Sequence, residues 1–127
     1  MLTAAVAILV VLADQATKLA AIRSLSVMPG ETITVIDGFF HLRLVHNRGA
    51  AFGIGTDYGL LFIFLSLITI AVLIGFYRRF FSRSLLSRLS GGLILGGAVG
   101  NLIDRVFRGD GFLNGYVIDF LDFQFGD

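Results

Sequence analysis

The sequence predicts a membrane α-helical fold with a small β component: three transmembrane helices and one β-rich loop outside the membrane. Three observations carry that prediction. Of 127 residues, 56% are hydrophobic and only 15% charged, and the mean hydropathy is +0.87. Apolar stretches at about residues 2–22, 60–77 and 86–104 approach the roughly 20 residues a helix needs to cross a ~30 Å hydrocarbon core. Two of these stretches carry ionisable groups, Asp14 with Lys18 and Asp104 with Arg105. Membrane segments rarely tolerate such groups without a functional reason.

The length suits a single integral membrane domain over residues 1–127. Net charge is +1, and no basic patch is interleaved with aromatics, so no nucleic-acid partner is expected. There is no cysteine, which excludes disulfides and thiolate metal sites. His41 and His46 lack ligand-like company and read as structural or interfacial residues. Oxygen ligands would suit a hard cation, but no compact metal-ligand motif appears.

The first span covers about residues 2–22. A cleaved signal peptide is the competing reading. It fails because the basic residues follow the apolar run and because Asp14 and Lys18 interrupt it. Asp14 and Lys18 are four apart and share one helix face. On this segment alone two readings stand: a self-neutralising surface pair with Lys18 snorkelling, or a pair turned inward to orient other polar groups.

The β-rich loop covers about residues 24–58. Pro29-Gly30 marks a turn. Thr32–Ile36 is β-branched and reads as a strand; Asp37-Gly38 is a hairpin turn; residues 39–45 read as the second strand. The glycine-rich run Asn47-Arg48-Gly49-Ala50-Ala51-Phe52-Gly53-Ile54-Gly55 suits close backbone approach. It reads either as a re-entry loop or as a wall of a substrate groove, with Asn47 offering its amide to a peptide backbone. Phe39, Phe40 and Phe52 are placed on the lipid surface.

The second span, about 60–77, is followed by a loop at about 78–85. Arg78, Arg79, Arg83 and Arg88 lie in or beside that loop with no acid among them. The β-rich loop instead balances Arg23, Arg43 and Arg48 against Glu31, Asp37 and Asp57. The positive-inside rule then puts the arginine loop and the amino terminus in the cytoplasm and the β-rich loop outside.

The third span, about 86–104, carries Gly91, Gly92, Gly96, Gly97 and Gly100. Its small-xxx-small spacings predict a helix packed closely at the centre of the bundle. It runs outward, so Asn101, Asp104 and Arg105 emerge at the depth of Asp14, Lys18 and the Asn47 loop. That convergence favours functional roles for both charged pairs. In the outer segment, 106–127, residues 108–111 form a turn. Asp119 and Asp122 share a face if the segment is helical and oppose each other if it is a strand. Asp122 reads as a solvated charge.

A carboxylate-rich, apolar site with no cysteine and no Ser–His–Asp set suggests acid–base hydrolysis. Two close aspartates divide the work, one ionised to activate water and one protonated to polarise the scissile carbonyl. Asp119 has the apolar setting wanted for the base.

These residues resemble the lipoprotein signal peptidase (signal peptidase II) family. Asp14-Gln15-Ala16-Thr17-Lys18 is similar to its first motif, Asn47 to Gly53 to its second, Gly96 to Arg105 to its third, and Gly115-Tyr116-Val117-Ile118-Asp119-Phe120 to its fourth. The resemblance implies four transmembrane helices and an extracytoplasmic β-cradle in a bacterial cytoplasmic (inner) membrane. It implies cleavage of prolipoproteins on the amino side of a diacylglyceryl-cysteine, by a monomer whose partners are the lipid-modified prolipoprotein and membrane lipid. It makes Asp119 one of two catalytic aspartates. Asp14, Lys18, Asn47, Gly49, Asn101, Asp104 and Arg105 become supporting or substrate-binding residues. The family's second aspartate sits in a Phe-Asn-x-Ala-Asp motif opening a fourth span, which is not found in residues 1–127. The expectation is therefore a C-terminally truncated chain with little activity of its own. Two other readings compete: a non-catalytic lipopeptide-binding membrane fragment, and a small proton or ion pathway through Asp14, Lys18, Asp104 and Arg105.

Overall fold

The computed structural model describes residues 1–49, 58–109 and 111–125. Helix α1 spans Leu2–Leu25, α2 spans Gly59–Gly75, the short α3 spans Tyr77–Phe80 and α4 spans Leu85–Phe107. Strands β1 (Thr32–Ile36), β2 (Phe40–Asn47) and β3 (Val117–Phe123) form one antiparallel sheet in that order.

The helices are built inside out relative to a water-soluble protein. The buried residues of α1 are Thr3, Ala7, Lys18 and Leu25, while Ile8, Leu9 and Leu12 face outward. In α4 the buried set is Gly91, Gly92, Gly96, Gly100, Asp104 and Arg105, with Leu93 and Ile94 outside. Small and polar groups inside with large apolar groups outside is the arrangement that lipid demands. Helices α1 and α4 are each long and apolar enough to cross a membrane.

The glycines of α4 explain how these two helices meet. A Cβ at Gly92 would fall 2.6 Å from Val6 Cβ, and one at Gly96 would fall 2.6 Å from Val10 Cβ. One at Gly100 would strike the Asp14 carboxylate. The backbone of α4 thus lies directly on α1, as the small-xxx-small spacing predicts. Ser84 starts α4 with a capping box, its hydroxyl accepting from the Ser87 N–H at 3.1 Å. At the other end Gly115 N–H donates to the Arg105 carbonyl at 3.0 Å. A Cβ at Gly115 would overlap the last carbonyls of α4. That glycine brings β3 back against the helix end.

The sheet sits on the last turns of α1. Leu25, Leu44 and Ile118 form its core, flanked by Ala21, Ile22, Ile33, Leu42, Tyr116 and Phe120. Between the pairs Leu42↔Leu121 and Val45↔Asp119, β2 carries one more residue than β3. This bulge bends the strand locally. At the far end of the sheet Phe40 stacks on Phe123 at 4.6 Å, and Phe39 meets Phe123 and Phe125 edge-on at 5.9 and 5.7 Å.

The boundaries differ from the sequence expectation in five places. Helix α1 continues past 22 to Leu25, into the stretch expected to begin the β-rich loop. The second strand runs 40–47 rather than 39–45, because its pairing with β3 continues to Asn47↔Val117. Helix α2 ends at Gly75, short of 77, where Phe76 leaves helical geometry and α3 begins. Residues 78–80, expected in a loop, lie in α3. Helix α4 continues past 104 to Phe107. Residues 50–57 and 110, with the Phe52 and Asp57 expectations, lie outside the described residues, as do 126–127.

Candidate functional site

The site begins with a carboxylate that has no contact with solvent. Asp104 lies near the end of α4 with 0% exposure. Its Oδ2 meets Lys18 Nζ at 2.8 Å and accepts the Ile118 N–H at 3.1 Å. Its Oδ1 accepts from Arg108 Nε at 2.8 Å and Gln15 Nε2 at 3.0 Å. A buried carboxylate is tolerable only when its lone pairs are met by donors and its charge by cations. Here one side chain ties α1, the end of α4 and the start of β3 together.

Lys18 completes the cluster. Its ammonium also contacts Asp14 Oδ2 at 2.9 Å and Asn101 Oδ1 at 3.1 Å. Only 3% of Lys18 is exposed. The pair is therefore turned inward, and the snorkelling alternative is corrected. Helix spacing places Asp14 and Lys18 on the face of α1 that meets α4, and Gly100 leaves room for Asp14.

Gln15 and Arg108 belong to the same cluster, and the sequence argument assigned neither a role. Gln15 Nε2 also donates to Asp14 Oδ2 at 3.1 Å and to the Gly100 carbonyl at 3.3 Å. Its Oε1 accepts from Arg108 Nη2 at 3.1 Å. A signal existed for Arg108, which lies four residues after Asp104, one helical turn away. For Gln15 the signal was weaker: an amide inside an apolar span must find partners.

Arg105 points the other way. Its Nη2 donates to the Gly49 carbonyl at 2.8 Å, and its guanidinium lies 5.6 Å from the Phe62 ring centre. Its Nε has no partner among the described residues. Arg105 thus anchors the start of the Asn47 loop, at Gly49, to α4. Asn47 bridges that loop to β3: its Oδ1 accepts the Gly49 N–H at 2.9 Å, and its Nδ2 donates to Asp119 Oδ2 at 3.0 Å.

Asp119 is the exception to burial. The strand assignment settles the geometry left open in the sequence: Asp119 and Asp122 face opposite ways. Ile118 points into the core, so Asp119 points away from it and is exposed. The expectation of an enclosing apolar setting is corrected, because alternation along β3 turns its carboxylate outward. It opens on a groove of about 1020 Å³, lined among others by Asp14, Thr17, Lys18, Asn47, Asn101 and Phe120. Asp122 pairs with Arg43 at 3.8 Å and accepts from Gln124 at 3.4 Å.

The structure thus groups Asp14, Lys18, Asn101 and Asp104 in one cluster and Asn47, Gly49, Arg105 and Asp119 in another. Ile118 joins them, with its N–H on Asp104 and its neighbour Asp119 at the groove. Among the described residues no group of His, Asp or Glu side chains is arranged to hold a metal. His46 stacks on Tyr116 at 4.2 Å, and His41 Nδ1 lies 3.2 Å from the Thr34 hydroxyl.

This arrangement can be set beside known proteins. The family model described as signal peptidase (SPase) II matches residues 6–127. The lipoprotein signal peptidase of Halothermothrix orenii is 42% identical over 119 residues, covering 94% of this chain and 76% of that protein. That of Moorella thermoacetica is 42% identical over 118 residues, covering 93% of this chain and 73% of its own. Two solved structures, each described as a bacterial membrane enzyme, superpose with TM-scores of 0.77 and 0.73 at 30% and 31% identity. They match 96% and 95% of this chain, and 70% and 73% of their own. The motifs, the fold and the matched length agree, and the chain belongs to the signal peptidase II family of membrane peptidases.

Proposed function

We propose that the chain removes signal peptides from lipid-modified prolipoproteins, cutting on the amino side of the diacylglyceryl-cysteine, with Asp119 as one of two catalytic carboxylates. The observation that carries this reading is the position of Asp119. Of the three aspartates lining the groove it is the one that Asn47, and no cation within ion-pair distance among the described residues, holds: Asn47 fixes one of its oxygens at 3.0 Å. A general base must be held in place yet reach a proton in the substrate complex. Asn47 and the strand supply the first condition and the groove supplies the second.

Acid–base hydrolysis by carboxylates needs a partner in the opposite protonation state. None of the described aspartates is suited to that role. Asp104 is saturated and enclosed; Asp14 is held by Lys18 and Gln15; Asp122 also lines the groove but is paired there with Arg43. In the family the resemblance names, that partner is carried by a Phe-Asn-x-Ala-Asp motif.

Helix α2, 17 residues long and without a charged side chain, reaches about 25 Å and crosses the membrane with α1 and α4. The arginines after α2 lie in the cytoplasm, and the sheet and groove lie at the outer face of a bacterial inner membrane. The Phe39–Phe40–Phe123–Phe125 cluster rests at the lipid surface. The substrate's acyl chains stay in lipid while its backbone lies along the groove under the sheet, and the protein acts as a monomer without a cofactor.

The test is a gel-mobility assay on the protein expressed from its complete reading frame. It compares a diacylglyceryl-modified prolipoprotein with the same precursor before lipidation. Cleavage of the modified substrate alone is expected. Equal cleavage of both would remove the lipid from the recognition reading.

A further inference from the structure

A second cavity lies at the opposite end of the helices from the groove. It has a volume of about 230 Å³ and is lined by Ala4 of α1, Leu73 and Ile74 of α2, Tyr77 and Phe81 around α3, and Leu95 of α4. Its walls are apolar. Its two hydroxyl groups are already satisfied: the Thr3 hydroxyl lies 3.1 Å from the Tyr77 hydroxyl and donates to the Arg88 carbonyl at 3.0 Å. Met1 also lines it, and no side chain of the wall is left to recruit a polar ligand.

The segment that supplies Tyr77 and Phe81 to the wall is different. Arg78 and Arg79 follow Tyr77 directly, Arg83 lies in the turn after Phe81, and all three are exposed. Among the described residues none of them pairs with an acid. Arg88 instead donates twice to the Ser82 carbonyl, at 3.2 and 2.9 Å. Those bonds hold the arginine-bearing turn against the start of α4. An apolar slot between helices, adjoining a turn whose exposed guanidinium groups have no acid partner among the described residues, has the two-part chemistry of a phospholipid: hydrocarbon in the slot and phosphate on the turn.

We propose that this cavity and the adjoining arginine turn form a binding site for an anionic phospholipid, with part of one acyl chain between α1, α2 and α4 and the headgroup phosphate on Arg78, Arg79 and Arg83. The site lies apart from Asp119 and needs neither substrate nor catalysis. The orientation proposed above decides only which leaflet supplies the lipid. Binding in detergent is independent of it.

The experiment takes the protein expressed from its complete reading frame in neutral detergent. Native mass spectrometry counts retained phosphatidylglycerol against phosphatidylcholine of matched chain length. Each arginine near a charged headgroup contributes about fivefold, so the wild type should prefer phosphatidylglycerol by about tenfold or more. The Arg78→Gln/Arg79→Gln/Arg83→Gln variant should bring the two lipids close to parity. Ala4→Phe, which fills the slot, should lower retention of both. Leu73→Trp fills it from α2 and replaces Ala4→Phe if that variant unfolds on a thermal scan. No preference in the wild type, a preserved preference without the arginines, or undiminished retention in a folded slot-filled variant would each overturn the proposal.

Discussion

Two neighbouring carboxylates, Asp104 and Asp119, show opposite uses of the same chemical group. Asp104 is enclosed and accepts from Lys18, Arg108, Gln15 and the Ile118 backbone. Asp119 stands on the groove with Asn47 on one oxygen. The first has its hydrogen-bonding capacity committed to protein, so it cannot exchange protons with a substrate without breaking the fold around it. The second is open to the groove, as its proposed role requires. Between them lies one residue, Ile118, whose N–H is fixed by Asp104 and whose side chain sits in the sheet core. The buried carboxylate thus sets the place of the one on the groove.

Variants can break this comparison, and the largest effect belongs to the buried side. Asp104→Ala leaves Lys18 and Arg108 facing each other across a cavity. Removing one partner of a buried charge cluster costs about 3–5 kcal/mol. The expected result is a large drop in the thermal unfolding midpoint, with activity lost through unfolding. Gly96→Val comes next. Its side chain must enter the space of Val10 and the Ala7 carbonyl. Overpacking of this kind costs about 1–3 kcal/mol and should appear as a lower midpoint with the catalytic groups untouched.

Arg108→Gln sharpens the comparison. It removes one of the two cations that neutralise Asp104 but leaves Lys18 in place. A loss of about 1–3 kcal/mol is expected, and the Arg108→Lys variant should recover part of it. On the open side, Asn47→Ala removes the donor to Asp119 Oδ2 and the acceptor for Gly49 N–H. Cleavage should fall by roughly tenfold or more, the worth of about one charge-assisted hydrogen bond, with little change in the midpoint. Asp122→Asn is the control and the smallest change. Its pair with Arg43 is exposed, so stability should move by less than about 0.5 kcal/mol and cleavage should be unaffected.

The same contrast explains what the sequence could and could not disclose. The shared face of Asp14 and Lys18 and the close-packing glycines were legible because helix spacing alone puts them on one face, whereas the inward turn of that face was not. The strand Thr32–Ile36 was legible from its β-branched run. Asp104 was visible as a charge at the end of an apolar stretch, but its four donors were not, because they come from three elements whose meeting depends on the tertiary fold. Arg108 sat at helical spacing from Asp104 but beyond the expected end of the helix, and so read as a turn residue. The exposure of Asp119 required knowing that residues 117–123 form a strand. A run containing Val, Ile, Phe and Leu with aspartates three apart does not distinguish strand from helix by itself.

The central claim is that Asp119 does chemistry while Asp104 holds structure. Its most direct test is Asp119→Asn in the protein expressed from its complete reading frame, with prolipoprotein cleavage and thermal unfolding measured on one preparation. The account predicts that cleavage falls by about 10²- to 10⁴-fold, the usual worth of a positioned acid or base, while the unfolding midpoint stays at the wild-type value. Retained cleavage would contradict it, and so would a loss of cleavage accompanied by a midpoint as depressed as that of Asp104→Ala.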